Sequence, residues 1–182
     1  MAHELTTSYL RDSIELFRRY KKLAEDAMEQ VTDDQLVAVL DEEMNSIALI
    51  VKHMVGNMRS RWTNFLTTDG EKADRMRDTE FEQPPATREA LLKMWAEGWN
   101  RVFDSLEPLS DTDLNRRVAI RGEPHSVMQA VNRQIAHYSY HCGQIVFLAK
   151  HFQHQQWKSL SIPRGKSEEV NRIVANKEVS RR

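Results

Sequence analysis

SVMQAVNRQIAHYSYHCGQIVFLAKHFQH, residues Ser126–His154, is the stretch on which the reading of the fold turns. Ser126 followed three residues later by Gln129 is a capping-box signature, in which side chain and backbone satisfy each other's free groups at a helix start. Behind it, Val127, Val131, Tyr138, Ile145, Leu148 and Phe152 recur at helical spacing, so the pattern predicts one long amphipathic helix ending near His154. Within it, His137 and His141 stand four residues apart, which puts both imidazoles on one helix face about a turn apart.

Working outward, Val118-Ala119-Ile120 beside Arg121-Gly122-Glu123 predicts a short extended excursion or hairpin just before this helix. Upstream, Thr87 can cap a helix whose apolar face is Leu91, Leu92, Trp95, Trp99, Val102, Phe103 and Leu106, stopped at Pro108. The charged, aperiodic run from Glu71 to Pro85 reads as a loop. Before it, Ile47, Val51, Met54, Met58, Trp62 and Phe65 form a heptad-like stripe in a helix expected over Glu42 to Leu66. Thr32 to Asp34 reads as a short capped turn, and Leu10, Ile14, Phe17, Leu23 and Met28 mark a first helix from Leu5 to about Met28. Four amphipathic segments with few turn formers predict an all-α four-helix bundle, the architecture that buries four apolar stripes at once. We expect one domain over residues 1–172, with Ser167 capping a last short element and a frayed tail over 173–182.

The 182 residues are 40% hydrophobic and 29% charged, with 6 Gly, 5 Pro and a formal net charge of −1. That balance lacks the basic field of a nucleic-acid binder, so such a partner is not expected. The N-terminus has no uninterrupted apolar core of a secretory signal, and the apolar runs fall far below a membrane span, so the expectation is a cytoplasmic chain with no membrane partner. Cys142 is the one cysteine and forms no internal disulfide.

Neutral imidazoles bind Zn, Ni and Fe, but a pair supplies two ligands where a catalytic site of this kind takes three. The third histidine set within an apolar helical stripe is His53, between Ile50 and Met54; His3, His125, His151 and His154 fall at termini, loops or a polar helix end. An isolated pair at this spacing arises by chance in about one such sequence of four. His53 alone reads more simply as a hydrogen-bonded core histidine, satisfied by Asn57, Gln134, Tyr138 or Tyr140. Cys142 is turned about 100° from His141 and reads as a small buried residue. Arg133, one turn before His137, reaches an anionic substrate if it faces inward, although a solvated arginine is the simpler reading. No P-loop, nucleophile elbow, dinucleotide fingerprint or Glu-x-x-His di-iron motif is present, and no catalytic residue is singled out.

Two segments carry a family resemblance: Asn45-Ser46-Ile47 with Ile50-Val51-Lys52-His53-Met54-Val55-Gly56-Asn57-Met58, and Ile135-Ala136-His137-Tyr138-Ser139-Tyr140-His141-Cys142-Gly143-Gln144-Ile145. One His on the second helix and His-x-x-x-His on the last resemble the DinB-like superfamily. The nearest likeness is a branch without assigned function that closes on a Ser-Ile-Pro-Arg-Gly-Lys-Ser-like segment, here Ser161 to Ser167. The resemblance implies a four-helix bundle with a divalent metal ion (Zn, Ni or Fe) held by His53, His137 and His141, assembled as a homodimer. It also implies the chemistry of relatives such as bacillithiol S-transferases and mycothiol-dependent maleylpyruvate isomerase, in which a low-molecular-weight thiol reacts with an electrophile. A metal-dependent hydrolase and a non-catalytic stress-response bundle are the alternatives.

Overall fold

A computed structural model describes residues 7–176. It is mostly helical, with a single two-stranded sheet among the described residues. Four long helices, α1 (Tyr9–Glu29), α3 (Ile47–Trp62), α4 (Arg88–Leu106) and α5 (Val127–Gln153), are joined by a short α2 (Asp33–Val37), a hairpin of β1 (Arg117–Ile120) and β2 (Glu123–Ser126), and a terminal α6 (Ser167–Ala175). No described helix is long and apolar enough to cross a membrane.

The caps explain where the helices begin. Ser126 and Gln129 close the expected capping box on α5, and Thr87 accepts from the Ala90 amide at the start of α4. Several boundaries differ from expectation. The described chain is not helical before Tyr9, because Ser8 accepts from the Arg11 amide and caps α1 there; Leu5 lies outside the described residues. The stripe begun at Glu42 becomes helix only after Ser46 caps α3 through the Leu49 amide, and it ends at Trp62 rather than Leu66. The capped turn at Thr32 opens a short helix instead, since Thr32 and Gln35 form a full capping box. Ser167 is the first residue of α6 rather than its cap, and the helix runs on to Ala175. Of the expected tail, 177–182 lie outside the described residues.

Phe17 marks the centre of the core. Its ring meets Trp62 of α3, Trp99 of α4 and Tyr138 of α5 at centroid distances of 6.2, 6.1 and 5.7 Å, so one α1 side chain ties all four long helices. Tyr138 then links core to site. Buried in apolar surroundings, its hydroxyl accepts from the Trp62 indole at 2.9 Å and donates to Asn57 Oδ1 at 3.1 Å. Burial pushes this phenol above its ordinary value, which keeps it a neutral donor.

The hairpin turns at Arg121 and Gly122, both with positive φ (57° and 76°), the requirement of a tight two-residue turn with the twist of its strands. Asp69 holds this turn from below. Its carboxylate accepts from the amides of Glu71 (2.7 Å), Gly122 (2.7 Å) and Arg121 (2.8 Å), which hold it below the ordinary carboxylate value. The Gly70 amide also donates to Ala119 O at 2.8 Å, so the hairpin is fastened to the segment that follows α3.

Candidate metal centre

His53 on α3 and His137 and His141 on α5 converge between the two helices. His53 Nε2 lies 3.3 Å from His137 Nε2, which lies 3.1 Å from His141 Nε2. Of the remaining histidines, His125 is on β2 with Nδ1 toward Glu123 O, His151 and His154 meet with tilted rings 5.4 Å apart at the end of α5, and His3 lies outside the described residues.

The protons of this cluster can be counted. His53 Nδ1 stands 2.9 Å from Glu80 Oε2, and a carboxylate can only accept, so Nδ1 carries a proton and in the neutral ring Nε2 is a bare lone pair. His141 Nδ1 stands 2.7 Å from Gln144 Oε1, whose amide nitrogen donates to the Tyr140 hydroxyl at 3.2 Å, so His141 Nε2 is bare as well. Both lone pairs face His137 Nε2. A single N–H there serves one of them and leaves the other lone pair without a donor, an arrangement relieved by a cation. Imidazole nitrogens about 2.0–2.1 Å from a tetrahedral ion lie roughly 3.3 Å apart, which matches the two separations measured to His137 Nε2. The residues therefore fit a metal, and the group could hold one, its ligand atoms all lying within 4.8 Å of one another.

Electrostatics point the same way. Burial, together with the neighbouring His141 and His53, pushes His137 down to about 3, and burial also lowers His141 against the Gln144 hydrogen bond. Both rings stay neutral, the form that ligates.

Sequence periodicity missed the groups behind the triad. Glu80 sits in a 3₁₀ turn, Asp78–Phe81, inside the charged segment read as a plain loop, yet it is only 6% exposed. Arg75 grips it bidentately, Nε to Oε1 at 2.8 Å and Nη2 to Oε2 at 2.9 Å. Burial would raise the Glu80 carboxyl, but hydrogen bonds from His53 and Arg75 outweigh it and hold the group ionised. Phe81 stacks on the His53 ring at 4.7 Å, and Lys52 pins the turn through Thr79 O and Glu82 O. Glu80 has room because Gly56 faces it; a Cβ there would lie 2.2 Å from Oε1. The available signal was the length of the segment between α3 and α4, beyond what a simple connection needs.

The triad opens onto a cavity of about 320 Å³, lined by His53, His137, Asn57 and Gln134 together with several arginines. Arg133 keeps an exposed side chain and also contributes to this wall. Cys142 is turned away: its buried thiol faces Tyr20 O at 3.4 Å and burial pushes it up to about 12.

A family model described as a protein of unknown function, DUF1572, matches residues 4–166. No curated protein matches the chain.

Proposed function

Because the chain belongs to the DUF1572 family, whose description assigns no activity, we propose its function from the site: a divalent-metal-dependent enzyme of the DinB-like, four-helix-bundle type. In this reading it transfers a low-molecular-weight thiol to an electrophile. The observation that carries the reading is the convergence of three Nε2 atoms whose partner nitrogens, on His53 and His141, are held by Glu80 and Gln144. Ligating histidines are oriented by such outer partners, which set the tautomer and raise ligand basicity. When bound at His53, His137 and His141, a zinc, nickel or iron ion would lower the pKa of a coordinated thiol and favour the thiolate.

The rest is done by the chain. Glu80 and Arg75 fix the His53 ring, Gln144 fixes that of His141, and Phe81 covers one face of the His53 ring. Overall, R–SH and R′–X give R–S–R′ and HX: one S–C bond forms, one C–X bond breaks, and the proton leaves to solvent with the displaced anion.

Two observations favour catalysis over a purely structural centre. Among the described residues the ligand group stops at three, and His53 and His137 face a cavity rather than packed side chains. A hydrolase reading has less support, because Glu80, the carboxylate at the triad, is already committed to His53 and Arg75. Elemental analysis of the purified protein beside His53→Ala and His137→Ala tests the centre; equal metal content in all three removes it. Turnover with bacillithiol, mycothiol, glutathione or cysteine and a chromogenic electrophile tests the reaction, and none with metal bound removes the transferase.

A further inference from the structure

The cavity beside the histidines has a second property that thiol activation does not require. Its wall includes Arg61 from α3, Arg75 and Arg77 from the segment after it, Arg121 from the hairpin turn and Arg133 from α5. Four separate stretches of chain thus bring guanidinium groups to one concavity.

The carboxylates available to them are too few. Glu80 is consumed by Arg75 and His53. Glu71 is shared, at 3.2 Å from Arg75, 3.5 Å from Arg121 and 4.0 Å from Arg61. Arg133 and Arg77 have no carboxylate partner among the described residues, Arg77 lying instead over the Phe81 ring at 5.3 Å. Like charges collected in a concave, partly desolvated site repel one another and attract counter-charge.

Arg61 is the sharpest observation. It is 3% exposed, and its Nε and Nη1 are buried without any acceptor. Gly70 makes room for it, since a Cβ there would lie 2.5 Å from Nη1. Burial lowers this guanidinium from its usual value, and the charges of Arg133 and Arg75 add to that despite Glu71. Those two donors are closed off from the cavity, so Arg61 acts on it as buried positive charge behind the wall, which favours an anion there. Beside it, Asn57 has its oxygen committed to Tyr138, leaving its amide donors for a ligand.

We propose that this cavity binds a small polyanion bearing carboxylate or phosphate groups, next to the three histidines, so that one of the two substrates is an acid. The substrate assignment rests on the metal-centre reading; the anion site rests on the arginines alone. Guanidinium forks match both oxyanions, and the volume suits a small molecule rather than a polymer.

Calorimetric titration of the full-length, metal-loaded protein with inorganic phosphate and with succinate tests this, with the anion that binds more tightly naming the chemistry. Saturable one-to-one binding is expected for at least one of them. It should weaken about tenfold in Arg133→Gln, as a lost charged hydrogen bond does, weaken also in Arg61→Met, which removes buried positive charge, and stay unchanged in Arg164→Gln. Arg133 is exposed and without a carboxylate partner, so its variant decides the question if Arg61→Met fails to fold. No saturable binding of either anion, or equal affinity in Arg133→Gln and wild type, overturns the proposal. Metal content measured on the same samples separates the two readings: metal without anion binding leaves the histidine centre standing, and anion binding without metal leaves only the cavity.

Discussion

Glu80→Gln perturbs the proposed centre without touching a ligand. In the native site the carboxylate accepts three hydrogen bonds, from His53 Nδ1 (2.9 Å), Arg75 Nε (2.8 Å) and Arg75 Nη2 (2.9 Å). An amide of the same shape accepts through one oxygen only. If its NH2 replaces Oε2, it faces His53 Nδ1 and drives the ring to the other tautomer, with a proton on the Nε2 meant for metal. If it replaces Oε1, the NH2 opposes Arg75 Nε and leaves a buried guanidinium N–H unmet. Outer-partner losses of this kind lower metal affinity about 10–100-fold. Losing one or two charged hydrogen bonds in a buried pair lowers stability by about 2–3 kcal/mol, which for a domain of this size is roughly 5–10 °C in Tm. Affinity is read by competition with a chromogenic chelator, and Tm by calorimetry with and without EDTA. Glu71→Gln, altering a more exposed carboxylate 3.2 Å from Arg75, should move both far less. A Glu80→Gln protein with wild-type affinity and Tm would refute the role assigned to this carboxylate.

Other outcomes follow from the same geometry. Gly56→Ala should cut metal affinity by a similar factor while α3 stays folded, because its Cβ lies 2.2 Å from Glu80 Oε1 and alanine itself favours helix; chelator competition and far-UV circular dichroism read the two effects separately. The metal-free protein should lose Tm as pH falls from about 6.5 toward 4: His137, at about 3 when folded, stays neutral while the unfolded chain takes up a proton below its ordinary value. Glu80 adds to the fall, since its depressed folded value stabilises above the ordinary glutamate range and that contribution is lost on acidification. A Tm flat across that window contradicts the assignment. Native Cys142, buried with its thiol pushed up to about 12, should resist a disulfide reagent at pH 8 and react fully once unfolded. The homodimer proposal draws on Phe147, 63% exposed beside exposed Tyr140; light scattering should give a dimer for wild type and a monomer for Phe147→Glu, and a monomeric wild type removes it.

Elements whose signals are local were legible in the order of amino acids alone. The capping box at Ser126, the cap at Thr87 and the periodic stripes specify long helices through their own backbone and neighbouring side chains, so α4 and α5 begin where the letters say. The i, i+4 spacing likewise put His137 and His141 on one face before any packing was known. His53 joined them on its apolar stripe and on resemblance, and the fold brings all three to one point. Partners supplied across long separations by aperiodic chain are visible only once the chain is folded. Glu80 and Arg75 lie in a segment whose local signals say only loop, and their burial depends on Gly56 of α3 and on Lys52 pinning the turn. The five arginines are scattered from 61 to 133 and carry no spacing that relates them; a cavity between α3, α5 and the hairpin makes them one site. Helices announce themselves through nearest neighbours, whereas a charge acquires its chemistry from what desolvates and opposes it, and those groups are set by packing.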